Sequence, residues 1–510
     1  MSSSHSTTFT TFYNTINGTL RTSNTTYTST NPATGTPLPE APVASSADLD
    51  EAVIAANDAF VTWKSTTWKH RSELLTKLAA LIAEHAPSLI ELLIAETGKP
   101  TFLAQAEIQI AQDTLLHFSS LQPVEHTVLD ENISKVVHTT FEPIGVVGAI
   151  CPWNFPIAMP MNKIGPALQA GNSIILKPSP FTPYTLPKIC EIAQQLFPPG
   201  VIQCLGSSDD ESHNLGSLMT QHPGIGKISL TGSVSTGKKV MAACAGTLKR
   251  VTLELGGNDA CIVCPDVKDI EHVAGEIVLS AFLNTGQVCV ATKRVYIHED
   301  VYGVVRDAIV KKVGEMKVGD GAAEEGVMVG PVQNRMQFEK VKGLVDEVKE
   351  LGYDVLTGGE NHGLEGVDDG RKKGGYFLPL MVVDDPPRES RLVREEQFVS
   401  APSLLSQNDK SLTMEKGPIL PLLRWSSESD VIHWANDTPT GLSASVWSSD
   451  IARARRIATQ LDVGSVYINS TQKPSFQGLF GGHKESGIGV EFGQAGLLQY
   501  CNAKSTYICF

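Results

Sequence analysis

Residues 227–257 read KISLTGSVSTGKKVMAACAGTLKRVTLELGG, and their pattern indicates the class of fold. An apolar run at 227–230 is followed by a turn containing Gly232 and Gly237, by a segment predicted to be helical, and by a second apolar run at 251–255. Short apolar runs bounded by glycine are typical of buried strands. The stretch therefore predicts two strands of a parallel sheet connected through a helix.

The same alternation of helical and extended patterns continues in both directions along the chain, which predicts the α/β class. Apolar residues recur at helical spacing in residues 48–64 and 72–85. Further buried strands are predicted at 146–150, 173–176 and 260–263. The Ser/Thr-rich first 35 residues are predicted to pack loosely, and residues 358–375 to form a Gly- and charge-rich loop.

The composition excludes several classes of function. The 510 residues include 41 Lys or Arg and 55 Asp or Glu, so the net charge of −14 disfavours broad contact with nucleic-acid phosphates or an anionic membrane. No nucleic-acid partner is expected. Hydrophobic residues make up 41% of the chain, which is enough for large cores, and a prior of roughly 150 residues per domain indicates about three domains.

The sequence also bears on location. The chain does not open with a basic start and an apolar core, and its most apolar stretch, 144–175, is interrupted by Asn154, Lys163 and several prolines. We therefore expect no contact with a membrane and a cytoplasmic location. The nine cysteines are scattered and odd in number, which fits reduced thiols better than disulfides.

The turn from Gly232 to Gly237 has three interpretations when it is taken alone. It nearly matches the phosphate loop of ATPases, but Lys239 stands where that loop needs a Ser or Thr to hold magnesium. Because the turn follows a strand and opens a helix, its backbone N–H groups also suit the pyrophosphate of a dinucleotide. A plain surface turn is the third interpretation, and the turn alone does not separate it from cofactor binding.

Other motifs shift the balance toward cofactor binding. Glu254-Leu-Gly-Gly257 ends a predicted strand, and Gly286-Gln-Val-Cys289 follows later in the chain. A strand Glu and a core Cys are each unremarkable alone. They occur together with the motifs PWNFP at 152–156, KPS at 177–179, EEQF at 395–398 and FGGHKESG at 480–487. In this order, over residues 31–507, the set resembles the aldehyde dehydrogenase superfamily, and specifically its NAD(P)-dependent, hydrolytic and fungal-type members.

The resemblance implies roles that also make chemical sense. Cys289 falls where the family keeps its nucleophile, and a thiolate adds to an aldehyde and later leaves from a thioester readily. Asn154 falls where the family places an amide donor, which with the backbone N–H of Cys289 would hold the oxyanion. Glu254 falls at the position of the general base that activates water for thioester hydrolysis. The implied product is a carboxylic acid.

The resemblance further implies a Rossmann-like cofactor site for NAD or NADP. Family members that prefer NAD commonly carry a Glu where this chain has Pro180, and a neutral ring there removes the repulsion of a 2′-phosphate. No metal is expected, because Cys261 and Cys264 form a C-x-x-C without a second ligand pair. The implied cofactor-binding residues are Trp153, Lys177, Gly232, Ser233, Gly237, Leu255, Glu396 and Phe398.

The aldehyde is less clearly encoded. Asn162 replaces a bulky aromatic residue that is common in relatives, which predicts a roomier and more polar tunnel. Lys473 raises the idea of an acidic substrate, against the simpler interpretation of a solvated surface lysine. The residues aligned with the tunnel are Met159, Asn162, Val288, Val290 and Lys473.

The largest departure from the family follows Phe398. Related sequences continue Glu-Glu-x-Phe-Gly-Pro, whereas residues 399–416 (VSAPSLLSQNDKSLTMEK) intervene here, and deleting them restores EEQFGPILPLL. One interpretation is a surface insertion, since polar loops lengthen at modest entropic cost. The other is a translated, unspliced intron, because Val-Ser permits a GT donor, Leu-Thr permits a CTAAC branch sequence and a Lys codon can end in AG. We favour the intron, because an insertion beside Glu396 and Phe398 is an unexpected place for tolerated variation, and we expect the chain as written to be less than fully active.

The implied domains are a cofactor-binding domain (1–121 and 142–255), a catalytic α/β domain (256–455) and a small β-rich oligomerisation element with a closing segment (122–141 and 456–510). A homodimer or homotetramer acting on a small-molecule aldehyde is expected. Three alternatives stay open. They are a CoA-acylating relative, which Glu254 disfavours; a nicotinamide-independent thiol esterase; and a catalytically silent or impaired homologue whose cofactor entry is blocked by the insertion.

Overall fold

The structure is a computed structural model that describes residues 9–124, 126–129, 135–210, 214–358, 374–394 and 417–510. Most of the predicted 358–375 loop and the whole 399–416 insertion lie outside the described residues. Glu396 and Phe398 lie outside them as well.

The first half of the chain alternates strands and helices after a set of four N-terminal strands and four helices in the described ranges. The elements are β1 (Asn14–Ile16), β2 (Thr19–Arg21), β3 (Thr26–Thr30), β4 (Pro37–Pro42), α1 (Ser46–Trp63), α2 (Trp68–Glu84), α3 (Ala86–Thr97), α4 (Thr101–Ser120), β5 (His126–Leu129), β6 (Lys135–Pro143), β7 (Val146–Ile150), α5 (Ala158–Ala170), β8 (Ser173–Lys177), α6 (Thr185–Ala193), β9 (Ile202–Cys204), α7 (Leu215–Gln221), β10 (Lys227–Thr231), α8 (Val234–Ala245) and β11 (Arg250–Glu254).

The second half continues the same alternation. Its elements are β12 (Ala260–Val263), α9 (Ile270–Phe282), β13 (Arg294–His298), α10 (Tyr302–Gly314), α11 (Arg335–Glu350), β14 (Asp354–Thr357), β15 (Met381–Asp384), α12 (Arg391–Arg394), β16 (Ile419–Trp425), α13 (Glu428–Asn436), β17 (Thr440–Gly441), β18 (Ser443–Trp447), α14 (Ile451–Ala458), β19 (Ser465–Ile468), β20 (His483–Lys484), β21 (Gly487–Ile488), α15 (Gly493–Leu498) and β22 (Cys501–Cys509).

The first sheet has the strand order β2-β1-β9-β8-β7-β10-β11-β21. Strands β9, β8, β7, β10 and β11 run parallel, and antiparallel strands close both edges. From β7 the chain moves outward to β8 and β9 and then returns to β10 on the other side of β7. Open α/β sheets bind ligands outside the carboxyl ends of their strands at such a reversal of strand order. The fold therefore places a cofactor site after β7 and β10.

The second sheet has the order β14-β15-β16-β13-β12-β18-β19, and β14 runs antiparallel to β15. Its other strand pairs are parallel. Residues 255–259 alone join the end of β11 to the start of β12. The carboxyl end of the first sheet therefore meets the amino end of the second, and the α/β prediction is confirmed.

The third sheet has the order β22-β6-β5 and pairs β22 with β6 along nine residues each, from Cys501 opposite Pro143 to Cys509 opposite Lys135. Residues 456–510 also contain β19, which extends the second sheet, and β21, which extends the first.

The prediction that the first 35 residues pack loosely is wrong for the described part. Ile16 in β1 is fully buried, Phe12 is 3% exposed, and the side chain of Asn14 accepts a hydrogen bond of 2.7 Å from the backbone N–H of Gly206. The Ser/Thr-rich composition hides a strand because Thr, like other β-branched residues, suits extended backbone. Among the described helices, none is by itself long and apolar enough to cross a bilayer.

Candidate active site

The predicted catalytic residues lie next to strands of the first two sheets. Asn154 follows β7, and Glu254 is the last residue of β11. Cys289 precedes β13, whose first residue, Arg294, pairs with the first residue of β12. Glu254 therefore ends the strand that leads into the second sheet, and the segment of Cys289 leads into a strand of that sheet.

Cys289 is partly exposed, whereas the other cysteines near the two sheets are buried. Burial raises the pKa of the Cys151 thiol to about 12 and that of Cys261 to about 12, so these thiols stay protonated. Cys261 and Cys264 pack in the cores of the second sheet. Within the described ranges, no three His, Cys, Asp or Glu side chains are grouped to hold a metal.

The backbone before Cys289 is unusual. Asn284, Thr285 and Gly286 have φ values of 51°, 61° and 74°, so three consecutive residues are left-handed. Such a conformation is costly for residues other than glycine and persists only when surrounding contacts enforce it. The hydroxyl of Thr285 donates to the carbonyl of Gly330 at 2.9 Å, and this contact anchors the turn.

Further hydrogen bonds hold the nucleophile loop from two sides. The side-chain carbonyl of Gln287 accepts from the backbone N–H of Gln333 at 2.9 Å, and its amide donates to the carbonyl of Asn284 at 2.9 Å. The ammonium of Lys293 donates to the backbone carbonyl of Cys289 at 2.6 Å. Gln287 and Lys293 were not identified from the sequence, because their roles depend on backbone atoms.

Asn154 lies against this loop. It is 5% exposed, and its amide donates to the carbonyl of Gln287 at 3.0 Å, two residues before the thiol. An amide nitrogen carries two N–H donors, and this bond uses one of them. The amide of Asn284 in turn donates to the backbone carbonyl of Asn154 at 3.2 Å. The segment after β7 is thus tied directly to the turn before Cys289.

Glu254 is 3% exposed, and in the described part of the chain neither of its carboxylate oxygens has a hydrogen-bond partner. Burial, and next the charge of Glu491, raise the pKa of Glu254 well above its usual range, while Lys163 opposes the shift. The backbone N–H of Gly232 donates to the Glu254 carbonyl at 3.0 Å. This bond joins the glycine turn to the end of β11.

Lys163 and Glu491 were missed by sequence reasoning as site residues. The ammonium of Lys163 lies 3.0 Å from a carboxylate oxygen of Glu491 and 2.8 Å from the hydroxyl of Thr231, and both charged side chains are buried. The available signal was Lys163 itself, a charge inside the most apolar stretch of the chain. A buried charge requires a partner, but Glu491 lies 328 residues away.

Phe480 connects the thiol to this buried pair. It packs in the same apolar cluster as Cys289, together with Phe155, Val288, Val290 and neighbouring residues. Its backbone exchanges two hydrogen bonds with that of Glu491, at 3.0 and 2.6 Å. The predicted tunnel residues Val288 and Val290 therefore lie beside Cys289, the predicted nucleophile.

The other predicted tunnel residues have polar partners. Lys473 is 3.0 Å from Glu276 and its side chain is 65% exposed, which favours the simpler interpretation of a solvated surface lysine. Asn162 is 2% exposed, and its amide donates to Glu491 at 3.0 Å. The sulfur of Met159 lies 4.0 Å from that amide.

The predicted cofactor residues gather at the carboxyl ends of the first sheet. Lys177 ends β8 and is 9% exposed, and burial lowers the pKa of its ammonium to about 8. Ser233 caps α8, since its hydroxyl accepts from the N–H of Thr236 at 3.1 Å. Trp153 is 4% exposed and packs with Phe181 and Met336.

Gly237 lets α8 lie close to the sheet. A Cβ at this position would be 2.5 Å from the Cδ1 atom of Leu255, so only glycine fits without a shift. A capped helix N-terminus at the reversal of strand order suits a dinucleotide pyrophosphate. The residues present therefore fit NAD or NADP.

Gly487 sets the position of Glu254 from the other side. It pairs with Glu254 across β21 and β11, and a Cβ on Gly487 would lie 2.1 Å from the carbonyl oxygen of Leu253. We expect Gly487→Ala to push β21 off β11, lowering the free energy of unfolding by about 2–3 kcal/mol. Thermal denaturation checks this. Gly478→Ala is the control, because its Cβ would meet nothing closer than 3.5 Å; equal melting temperatures for the two variants would contradict the prediction.

The chain is similar to known proteins over nearly its whole length. The model of the "Aldehyde dehydrogenase family" matches residues 20–506. The chain is 40% identical over 503 residues to "Aldehyde dehydrogenase LUC3" of Fusarium sp., covering 98% of this chain and 99% of that protein. It is similar to an NAD+ complex of aldehyde dehydrogenase from Bacillus cereus (TM-score 0.88, 32% identity, 98% and 96% coverage). It is also similar to an NADP-dependent enzyme of E. coli (TM-score 0.88, 31% identity, 98% of each chain).

Proposed function

The chain belongs to the aldehyde dehydrogenase family and uses NAD or NADP, and we propose that it oxidises its aldehyde to the carboxylic acid through a thioester on Cys289. In this proposal, water activated by Glu254 hydrolyses the thioester. The observations that support it are the partly exposed Cys289 thiol, the buried Asn154 amide bonded to the loop before that thiol, and the buried Glu254 carboxyl at the end of β11.

In the first step the thiolate of Cys289 adds to the aldehyde carbon, and the carbonyl oxygen becomes an oxyanion. The second N–H of the Asn154 amide and the backbone N–H of Cys289 are the donors for that charge. The left-handed turn at 284–286 presets the backbone at Cys289, so little reorganisation is needed when the charge develops.

A bound nicotinamide would supply the acceptor for the hydride that leaves the former aldehyde carbon. Lys177, the turn from Gly232 to Ser233 and Trp153 would hold the dinucleotide, and Gly237 lets α8 pack closely on Leu255. Glu396 and Phe398 are proposed to position its nicotinamide end. Pro180 supplies no carboxylate against a 2′-phosphate, so we propose weak discrimination between NAD and NADP.

In the second step Glu254 takes a proton from water, the hydroxide attacks the thioester carbon, and the thiolate of Cys289 leaves. Burial and the Glu491 charge make Glu254 a stronger base than an exposed glutamate, because they destabilise its ionised form. The products of this step are the carboxylic acid and the free thiolate, and Glu254 returns the proton of the water molecule to solvent.

An aldehyde panel with both cofactors tests the proposal. Purified protein should reduce NAD or NADP only when aldehyde is present, and one acid should form per reduced cofactor. Added CoA should not change the product; a thioester of CoA would favour the CoA-acylating alternative. Absence of cofactor reduction with every aldehyde, accompanied by hydrolysis of activated esters, would favour the thiol esterase instead.

We also propose a homodimer or homotetramer whose contacts include β22. This strand lies at the edge of its sheet, and three apolar side chains near its end are exposed. An unpaired edge with exposed apolar groups is suited to pairing with another chain. These side chains are Tyr507 (64% exposed), Ile508 (41%) and Phe510 (84%).

Deleting residues 399–416 should raise activity. The deletion restores EEQFGPILPLL, and hydride transfer depends steeply on the placement that Glu396 and Phe398 are proposed to give, since a misplacement of about 1 Å costs roughly 100-fold. We expect kcat/KM to rise by roughly 10- to 100-fold and the melting temperature to rise with it. Transcript sequencing should find the corresponding 54 nucleotides, three per deleted residue, removed from mature message. Retention of the segment in transcripts, with lower activity on deletion, would make it a functional loop.

A further inference from the structure

Asn162 and Lys163 are consecutive residues of α5 that hold the two oxygens of one buried carboxylate. The amide of Asn162 donates to Oε2 of Glu491 at 3.0 Å, and the ammonium of Lys163 donates to Oε1 at 3.0 Å. Asn162 is 2% exposed and Glu491 is 4% exposed. The residue at the aromatic tunnel position therefore has a specific polar partner.

The orientation of the Asn162 amide follows from its surroundings. A carboxylate accepts hydrogen bonds and cannot donate when ionised, so the nitrogen of Asn162 must face Glu491. Within the described residues the other end of the amide, the buried Oδ1 atom, has no hydrogen-bond partner. A buried amide with an unsatisfied oxygen is costly. The hydrogen bond from the Asn162 nitrogen to Glu491 offsets part of this cost.

This carboxylate is adjacent to the proposed base. Lys163 also donates to the hydroxyl of Thr231 at 2.8 Å, and Thr231 pairs with Glu254 in the parallel strands β10 and β11. Paired residues on neighbouring strands place their side chains on the same face, with the strands about 4.8 Å apart. Glu491 and Glu254 are two buried carboxyls, and the charges of Glu491 and Lys163 both act on Glu254.

We propose that Asn162 is a positioning residue: by donating to Glu491 it keeps that carboxylate ionised and paired with Lys163, and it thereby controls the protonation of Glu254 during thioester hydrolysis. This inference rests on the proposed function of Glu254. It differs from the tunnel role implied by alignment, in which residue 162 touches only substrate.

The other groups around Glu491 do not replace the Asn162 bond. Burial lowers the pKa of Lys227 to about 7 and raises that of Cys151 to about 12, and it raises the pKa of Tyr500 still further, so all three have lost much of their capacity to carry charge. Glu254 repels Glu491. The ionisable and charged groups that face Glu491 are Lys163 from α5, Glu254 from β11, Lys227 from β10, Cys151 after β7 and Tyr500 before β22.

The direction of the effect follows from these contacts. A hydrogen bond to a carboxylate stabilises its negative charge, so removing the Asn162 donor makes the ionised form of Glu491 less stable. Less negative charge then faces Glu254. Because the charge of Glu491, after burial, raises the pKa of Glu254, that pKa should fall. Thioester hydrolysis should consequently become competent at lower pH.

The test compares Asn162→Leu with wild type. Leucine has a similar size and no donor. The rising limb of the pH profile of kcat, measured where hydrolysis limits turnover, should move to lower pH by about one unit. The carboxylic acid C=O infrared band that disappears in Glu254→Gln should titrate with the same shift, and this readout needs no aldehyde. Met159→Leu is the matched control: it alters the same tunnel wall and should change KM without moving the limb.

A second variant distinguishes positioning from packing. Glu491→Gln should move the limb in the same direction as Asn162→Leu, and the double variant should move it no further, because both act on one charge. A limb unmoved in Asn162→Leu, with only KM changed, would overturn the inference. So would a further shift on adding Asn162→Leu to Glu491→Gln. Failure of wild type to oxidise any aldehyde would instead overturn the proposed function, with the infrared titration still able to report on Asn162.

Discussion

Cys289→Ala should lower aldehyde oxidation by about 10⁵-fold or more, because removal of an essential nucleophile leaves only the contribution of binding and oxyanion donors. Cys151, Cys261 and Cys264 are buried and do not substitute, and the exposed Cys509 lies at the end of β22 in the third sheet. Cofactor binding should be retained. The proposed cofactor residues Lys177, Gly232 and Ser233 belong to the first sheet, whereas Cys289 precedes a strand of the second. Turnover and fluorescence quenching by the cofactor measure the two properties separately.

Cys261→Ala is the matched control for this experiment. Cys261 lies in β12, is fully buried and packs in an apolar cluster. We expect the free energy of unfolding to fall by about 1–2 kcal/mol, as for small core truncations, with turnover kept. Dehydrogenase turnover remaining in Cys289→Ala, or its selective loss in Cys261→Ala, would contradict the assignment of the nucleophile.

The sequence predicted the central strands well because each is a short segment rich in apolar residues that lies close to glycines, prolines or asparagines. Strands β7 and β12 have the predicted bounds 146–150 and 260–263, and β10 and β11 differ by one residue at one or both ends. Edge elements were harder. Strand β1 is short and polar in composition, and its burial depends on pairing with β9, whose partner residue Cys204 lies far along the chain.

In the candidate site, too, the sequence predicts the residues of local motifs and misses the pairs that only the fold brings together. Short motifs identify Cys289, Asn154 and Glu254 because each motif is local, and the assignment of their roles stays a prediction. The pair of Lys163 and Glu491 joins α5 to the segment after β21 and leaves no local pattern. Tunnel positions show the same limit. Alignment places Asn162 and Lys473, but only the fold shows that each has a carboxylate partner, Glu491 and Glu276.

Glu254→Gln should separate the two halves of the reaction. Glutamine preserves the size of the side chain but cannot take a proton from water, so hydrolysis of the thioester should slow by about 10²- to 10⁴-fold while the addition step stays competent. Rapid-mixing measurements should show a burst of about one reduced cofactor per active site, followed by a slow steady rate.

The pH dependence of the steady rate provides a second, independent test of the role of Glu254. Burial and the Glu491 charge raise the pKa of Glu254, so in wild type the base is protonated at low pH and the steady rate rises as pH passes through that elevated value. Glu254→Gln should lose this rising limb. Glu96→Gln is the control, because Glu96 is also fully buried, with its pKa raised to about 8, yet it holds the backbone N–H groups of Tyr184 and Thr185. That variant should lose stability and keep the limb. Unchanged steady turnover in Glu254→Gln would remove Glu254 from the mechanism, because a glutamine at this buried position has no proton-accepting group with which to replace it.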